Sequence, residues 1–253
     1  KAINVIYSRN NLGKPKALNL AIKNTFRDFI VCLDDDTEVT ARWLDRLYQQ
    51  MKSRLSVGMV GCKIVFPNKR IFCADLAFEV AIGYKEIDYG QRDYIKEADM
   101  VAGTCFLMRR ELVNEIGYFD EQFFPGQYED RDYCLRTRLA GYKIIYNGQV
   151  SILHHNLFRD GGLFLRDSKR FLKKWDNGSM FPLKDSHPAD KYNIEGLRYF
   201  YAEKYKNALA EFKKAGDINK NFGMPLFLGL SLFRLGEYHK AINEFSKRSN
   251  LNP

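Results

Sequence analysis

The 253-residue chain changes its hydrophobic rhythm several times, and each change predicts an element. Residues 3–7 are a short β-branched run and read as a strand, followed by a loop at 8–16 rich in Asn, Gly and Lys. Ala17, Leu18, Ala21 and Ile22 fall on one helical face. Residues 29–33 are apolar without alternation, as expected of a strand covered on both faces. Asp34, Asp35 and Asp36 end that run. Thr40 is placed to N-cap the next helix, whose stripe is Trp43, Leu44, Leu47, Tyr48 and Met51. With a strand over 57–66 the reading is β-α-β-α-β, an α/β sheet built by crossover connections.

No periodicity organises 67–98. Residues 100–109 are apolar again and predict a strand, then a helix over 110–116 stopped by Gly117. An aromatic loop with a Pro125-Gly126 turn leads into a helix over 129–140 closed by Gly141. Short strands at 143–146 and 150–153 run into His154-His155, and 179–190, with two prolines and little periodicity, reads as a linker. The last 63 residues differ in kind: Gly196, Ala208 and Phe212 recur 33 positions later as Gly229, Ala241 and Phe245. With Tyr205 and Tyr238 in register and Pro253 closing the second unit, residues 191–253 resemble two tetratricopeptide repeats, helix-turn-helix units of period near 34.

Composition excludes a few classes. Nineteen Phe and 15 Tyr give too much burial for a disordered chain, and no apolar stretch approaches a membrane span. A net charge of +9 is compatible with a solvated surface, an anionic ligand or an acidic membrane face. The basic residues are dispersed and no nucleic-acid motif is present, so nucleic acid is not expected as a partner. Five cysteines without C-x-x-C spacing, mostly inside apolar runs, suggest free thiols and a reducing compartment.

Four constellations can carry chemistry. Asp34 and Asp36 at the end of a buried strand can hold a hard divalent cation, although an acidic loop with a helix cap explains them equally well. Glu129, Asp130 and Asp132 open a helix, whose dipole favours ionised carboxylates; one of them can act as a base, or all can be capping acids. His154 follows a strand and can complete a metal's ligand set. Asn11, Gly13 and Lys14 form a loop before a helix, a place for a phosphate, but the pattern is not a Walker A sequence.

In this order the motifs resemble family 2 glycosyltransferases of the GT-A fold over residues 1–178. The resemblance rests on Asn11-x-Gly13-x-x-x-Ala17-Leu18-Asn19, Leu33-Asp34-Asp35-Asp36-Thr37 and Gly103-Thr104-Cys105-x-x-x-Arg109-Arg110. It continues with Ile116-Gly117-Tyr118-Phe119-Asp120-Glu121, Glu129-Asp130-x-Asp132-Tyr133-Cys134-Leu135-Arg136, Ala140-Gly141-Tyr142 and His154. It implies that Asp34, Asp36 and His154 hold Mg²⁺ or Mn²⁺, with Asp34 near the ribose, and that Asp130 is the catalytic base. It also implies that Asn11, Gly13, Lys14, Asn19, Asp34, Asp35 and Gly103 surround the donor, with Arg136 stabilising charge. The family's first strand and base-holding segment have no counterpart before Ile3, so the nucleotide base is unreadable.

The implied function is an inverting, metal-dependent transfer of a hexosyl or deoxyhexosyl group. The donor would be a UDP-, GDP- or dTDP-sugar, and the acceptor a hydroxyl on a glycan, lipid-linked glycan or protein. The repeats would offer a surface to a protein partner. The expected location is the cytoplasm, with peripheral association at the inner face of the membrane. Two rivals are a catalytically inactive transferase-like domain serving as a scaffold for the repeats, and a nucleotidyltransferase. Phe119, Phe123, Phe124 and Tyr128 are candidates for the acceptor side or for core.

Overall fold

The computed structural model describes residues 4–74, 76–77, 80–81, 86–155, 161–175, 188–218 and 225–249. Its strands are β1 (Phe29–Leu33), β2 (Thr37–Val39), β3 (Val57–Val65), β4 (Ile71–Cys73), β5 (Leu76–Ala77), β6 (Val80–Ala81), β7 (Ile95–Glu97), β8 (Cys105–Arg109) and β9 (Lys143–His154). The helices beside them are α1 (Gly13–Lys23), α2 (Trp43–Ser53), α3 (Arg110–Ile116), α4 (Glu129–Leu139) and α5 (Gly161–Trp175). A 3₁₀ turn at Glu121–Phe123 interrupts the aromatic loop.

The main sheet runs β1-β8-β3-β9-β2, with β4 added to β3 and β7 to β9. β3 and β9 are parallel, but β8 lies between β1 and β3 and is antiparallel to both. The sheet is therefore mixed, which amends the simple crossover expectation: an apolar run such as 100–109 announces burial and carries no strand direction. β3 is buried at all nine positions, whereas β1 buries only Ile30 and Cys32 and leaves Leu33 exposed. β9 is one strand rather than two. Its register slips between the Cys62 and Lys63 pairings, around Gly148, where a Cβ would stand 1.9 Å from the Arg92 carbonyl oxygen.

Residues 4–7 form no strand, and Val5, Ile6 and Tyr7 are exposed. β propensity without a paired neighbour does not make a strand. Thr40 does not cap α2 through its side chain. Its carbonyl accepts from the Trp43 amide, and Arg42, with a left-handed φ of 58°, starts the helix. The far end of α2 is held by Arg109, whose buried guanidinium donates to the Met51, Arg54 and Val57 carbonyls at 2.8, 3.2 and 2.6 Å. Gly117 and Gly141 end α3 and α4 with φ of 80° and 86°. All five cysteines are free and buried.

The C-terminal region consists of α6 (Pro188–Tyr201), α7 (Tyr205–Ile218), α8 (Pro225–Arg234) and α9 (Tyr238–Ser249). The residues at 188–190 belong to α6, and the rest of the expected linker lies outside the described residues. The two hairpins repeat one contact. A Cβ on Gly196 would stand 2.4 Å from the Phe212 ring, and one on Gly229 would stand 2.4 Å from the Phe245 ring. Ala208 and Ala241 are buried at equivalent places. The apolar core is continuous from the sheet through Phe171 and Leu172 to Leu197, Ala208, Phe212 and Phe227. No helix among the described residues is long and apolar enough to cross a membrane.

Candidate active site

Strand register builds the first half of the site. β1 ends at Leu33, and the Asp34 amide donates to the Thr104 carbonyl at 2.9 Å, so Asp34 leaves the sheet beside residues 103–104. The Thr37 hydroxyl closes the turn by donating to the Asp34 carbonyl at 2.6 Å. β2 then pairs with β9, placing Thr37 opposite His154. The residue before Thr37 is thereby brought to the imidazole: His154 Nε2 lies 3.0 Å from Asp36 Oδ1. One ligand atom from each of Asp34, Asp36 and His154 falls within 4.8 Å of the others. Two carboxylates and an imidazole suit Mg²⁺ or Mn²⁺, and His154 Nδ1 is buried with no hydrogen-bond partner among the described residues. These residues fit a divalent ion.

The second half comes from the N-terminus of α4 and from Gly103. The Gly103 amide donates to Asp130 Oδ2 at 2.9 Å, and its carbonyl accepts from Lys14 Nζ at 3.1 Å. A Cβ on Gly103 would lie 3.0 Å from both the Cβ and Oδ2 of Asp130, so only glycine admits this approach without displacing the carboxylate. Lys14 Nζ reaches Asp34 Oδ1 at 2.7 Å and stands 3.9 Å from Glu129 Oε1. Burial pulls the Lys14 ammonium down, but Glu129, Asp34 and Asp130 outweigh it and hold it above its ordinary value. For Asp34 burial outweighs the single ammonium, and its carboxyl is raised. Glu129 is pushed up to about 7, chiefly by burial and then by the Asp130 charge. These groups line one cleft of about 330 Å³, together with Phe72, Thr104, Gln127, Arg131 and His154.

The structure brings Asp34, Asp36, His154, Lys14, Gly103 and Asp130 together and leaves other expected site residues elsewhere. Asn11 Oδ1 accepts from the Gly13 amide at 2.8 Å, two residues on, which turns the chain into α1. Gly13 supports the cleft wall: at φ 68°, it packs where a Cβ would meet the Phe124 ring at 2.6 Å. Asn19 is buried and does not line the cleft; it donates to the Phe119 carbonyl and accepts from the Phe119 amide, both at 2.9 Å. The Arg136 guanidinium donates to Asp132 Oδ2 at 2.9 Å, Ile116 O at 2.6 Å and Tyr118 O at 2.9 Å, which holds the loop after α3 against α4. Asp35 is exposed and does not line the cleft. Of the loop aromatics, Phe119 and Phe123 are core, Phe124 is 46% exposed, and Tyr128 lines the cleft.

Asp132 differs from Asp130 in its surroundings and its partners. It is fully buried and accepts from Arg136, from Lys174 Nζ at 2.6 Å and from Trp175 Nε1 at 3.0 Å, tying α5 to α4. Glu129, by contrast, lines the cleft, which its place among three acids of a first helical turn does not reveal. Its position in a first helical turn is equally that of an ordinary capping acid.

The glycosyltransferase-like family 2 model matches residues 1–159. The chain belongs to this family. Over 153 residues it is 28% identical to the O-antigen biosynthesis protein RfbC of Myxococcus xanthus, a match covering 56% of this chain and 12% of that protein. Over 87 residues it is 31% identical to the N-acetylglucosaminyl-diphospho-decaprenol L-rhamnosyltransferase of Mycobacterium tuberculosis, covering 34% of this chain and 27% of that enzyme. The chain thus spans about a quarter or less of these relatives. Among solved structures, the mannosyltransferase PcManGT of Pyrobaculum calidifontis, in complex with GDP-Man and Mn²⁺, superposes with a TM-score of 0.51 at 15% identity, covering 99% of this chain and 69% of that one. GalNAc-T7 with UDP, GalNAc and Mn²⁺ has the same TM-score of 0.51 at 14% identity, over 80% of this chain and 45% of that one. These two likenesses establish the GT-A-type mixed sheet with its helices.

Proposed function

We propose that the chain carries the catalytic domain of an inverting, metal-dependent glycosyltransferase acting on a nucleotide-sugar donor. The observation that carries this reading is the convergence of Asp34 and His154 with Asp130 and Lys14 in one cleft of a family 2 domain, with Asp36 beside the first two. Asp130 takes the proton of the acceptor hydroxyl as its oxygen bonds the anomeric carbon. The bond from that carbon to the diphosphate oxygen breaks, and its electron pair leaves with the nucleoside diphosphate. Lys14 lends positive charge at the mouth of the donor site. Asp34, Asp36 and His154 would hold Mg²⁺ or Mn²⁺, which when bound offsets charge on the departing diphosphate. The amides of Gly103 and Arg131 keep Asp130 oriented, at 2.9 and 2.8 Å.

In this reading residues 1–178 form the transferase unit, residues 179–190 join it to the helices, and 191–253 are two tetratricopeptide-like repeats that present a surface to a protein partner. The Gly–Phe contact repeated at a spacing of 33 residues supports the repeat assignment. The acceptor is a hydroxyl of a glycan, lipid-linked glycan or protein, and the site of action is the cytoplasmic face of the membrane. The O-antigen biosynthesis relative favours a surface polysaccharide. Asp130→Asn tests the base: turnover of a nucleotide sugar should fall by ~10²–10⁴-fold with donor affinity little changed. Unaltered turnover would remove Asp130 from the chemistry.

A further inference from the structure

Glu129 is the carboxylate lining the cleft to which the proposed reaction gives no role. It is 96% buried at the first position of α4, and its side chain faces the same space as Lys14, Gly103 and Asp130. Its two oxygens are unequal. Oε1 is 3.9 Å from the Lys14 ammonium, whereas Oε2 is buried with no hydrogen-bond partner among the described residues. In Asp130, its neighbour, both oxygens are bonded, Oδ2 by the Gly103 amide and Oδ1 by the Arg131 amide. Leaving a buried carboxyl oxygen unbonded is costly, so native sites that contain one usually complete it with a proton, a water or a ligand.

Resting on the transferase reading, we infer that Glu129 is a sugar-binding residue, whose free Oε2 hydrogen-bonds a hydroxyl group of the donor sugar in the cleft. A hydroxyl is the ligand group best matched to this oxygen, because it donates to the ionised carboxylate and accepts from the neutral acid. A phosphate is poorly matched, since two anions would meet. Lys14, on the Oε1 side, draws the diphosphate towards itself and leaves Oε2 to the uncharged part of the donor. Glu129 thereby selects donors by a hydroxyl rather than by charge. A site that bonds a substrate hydroxyl rejects the analogue lacking it more strongly than an apolar pocket can.

The test compares each nucleotide sugar with its bare nucleotide by calorimetry on the full chain with Mn²⁺: UDP-glucose against UDP, GDP-mannose against GDP, and dTDP-rhamnose against dTDP. The ratio of the two affinities isolates the sugar's contribution. For the pair the protein binds best, Glu129→Ala should cut that ratio by about tenfold or more, as loss of a hydrogen bond to a charged group does, without weakening bare-nucleotide binding. Glu129→Gln, which keeps hydrogen-bonding ends, should hold the ratio to within roughly threefold. If the alanine variant does not fold, Glu129→Met fills the same volume without a polar end and should show the same loss. A ratio unchanged in Ala or Met overturns the inference while leaving the transferase reading intact. Failure of the unmodified protein to bind any of the three pairs overturns both.

Discussion

Replacing Asp132 by asparagine removes one charge and little volume, yet it should cost more stability than any neighbouring acid-to-amide change. The carboxylate is fully buried and serves three donors: Lys174 Nζ at 2.6 Å, Arg136 Nε at 2.9 Å and Trp175 Nε1 at 3.0 Å. An amide offers one oxygen and turns an NH₂ towards at least one of those donors. Losing one charge-assisted hydrogen bond costs about 1.5–3 kcal/mol, and a further donor left facing the NH₂ adds to it. Lys174 is one-quarter exposed and can turn partly to water or to Asp120, its other partner at 2.7 Å, which trims the loss. The expected cost is therefore about 2–3 kcal/mol, rising to ~3–5 kcal/mol for Asp132→Ala, which leaves the cations without their buried partner. For a chain of this size that lowers Tm by roughly 4–12 °C for the asparagine variant. Thermal melting followed by near-ultraviolet circular dichroism measures it, with donor affinity determined well below the transition. A variant that melts like the unmodified protein but loses turnover would refute the structural assignment and make Asp132 a participant in the chemistry.

Glu129 gives a pH signature. Its folded-state value, about 7, lies above the usual 4.5, so between those values the folded chain holds a proton that the unfolded chain has released. Its contribution is therefore fully present below about 4.5 and is lost as pH rises through 7, by at most about 3 kcal/mol. Denaturant titrations at pH 5 and pH 8 should differ less for Glu129→Gln than for the unmodified protein; equal differences would contradict the assigned burial. In the helical region, Ala208→Leu should overpack the α6–α7 contact by ~1–3 kcal/mol. Limited proteolysis should then cut within 176–187 before it cuts within 4–155, and simultaneous cutting would show that the helices and sheet open together.

Much of the fold is legible because local signals agree with it. Gly117 and Gly141 stop α3 and α4 where a left-handed residue is needed, and the apolar run of β3 matches its complete burial. What escapes a reading of the chain is direction and partnership. Nothing in residues 100–109 says that β8 inserts antiparallel between β1 and β3. The roles of Asn19 and Arg136 depend on bonds to carbonyls at positions 119, 116 and 118, which sequence spacing does not reveal. The acidic site is legible only in part. Asp34, Asp36 and Asp130 stand out as residue types, but it takes the pairing of Thr37 with His154 to bring the imidazole to Asp36. Glu129 and Asp132 flank the proposed base with the same charge. Only the unbonded oxygen of one and the three donors on the other tell them apart.

On the proposed function, Asp34, Asp36 and His154 form a divalent-ion site that serves a nucleotide-sugar donor. Titrating the donor into the protein and into Asp36→Ala, each with and without Mn²⁺, tests it most directly. Mn²⁺ should strengthen donor binding to the unmodified protein and do nothing for the folded variant. An equal Mn²⁺ effect on both proteins would contradict it.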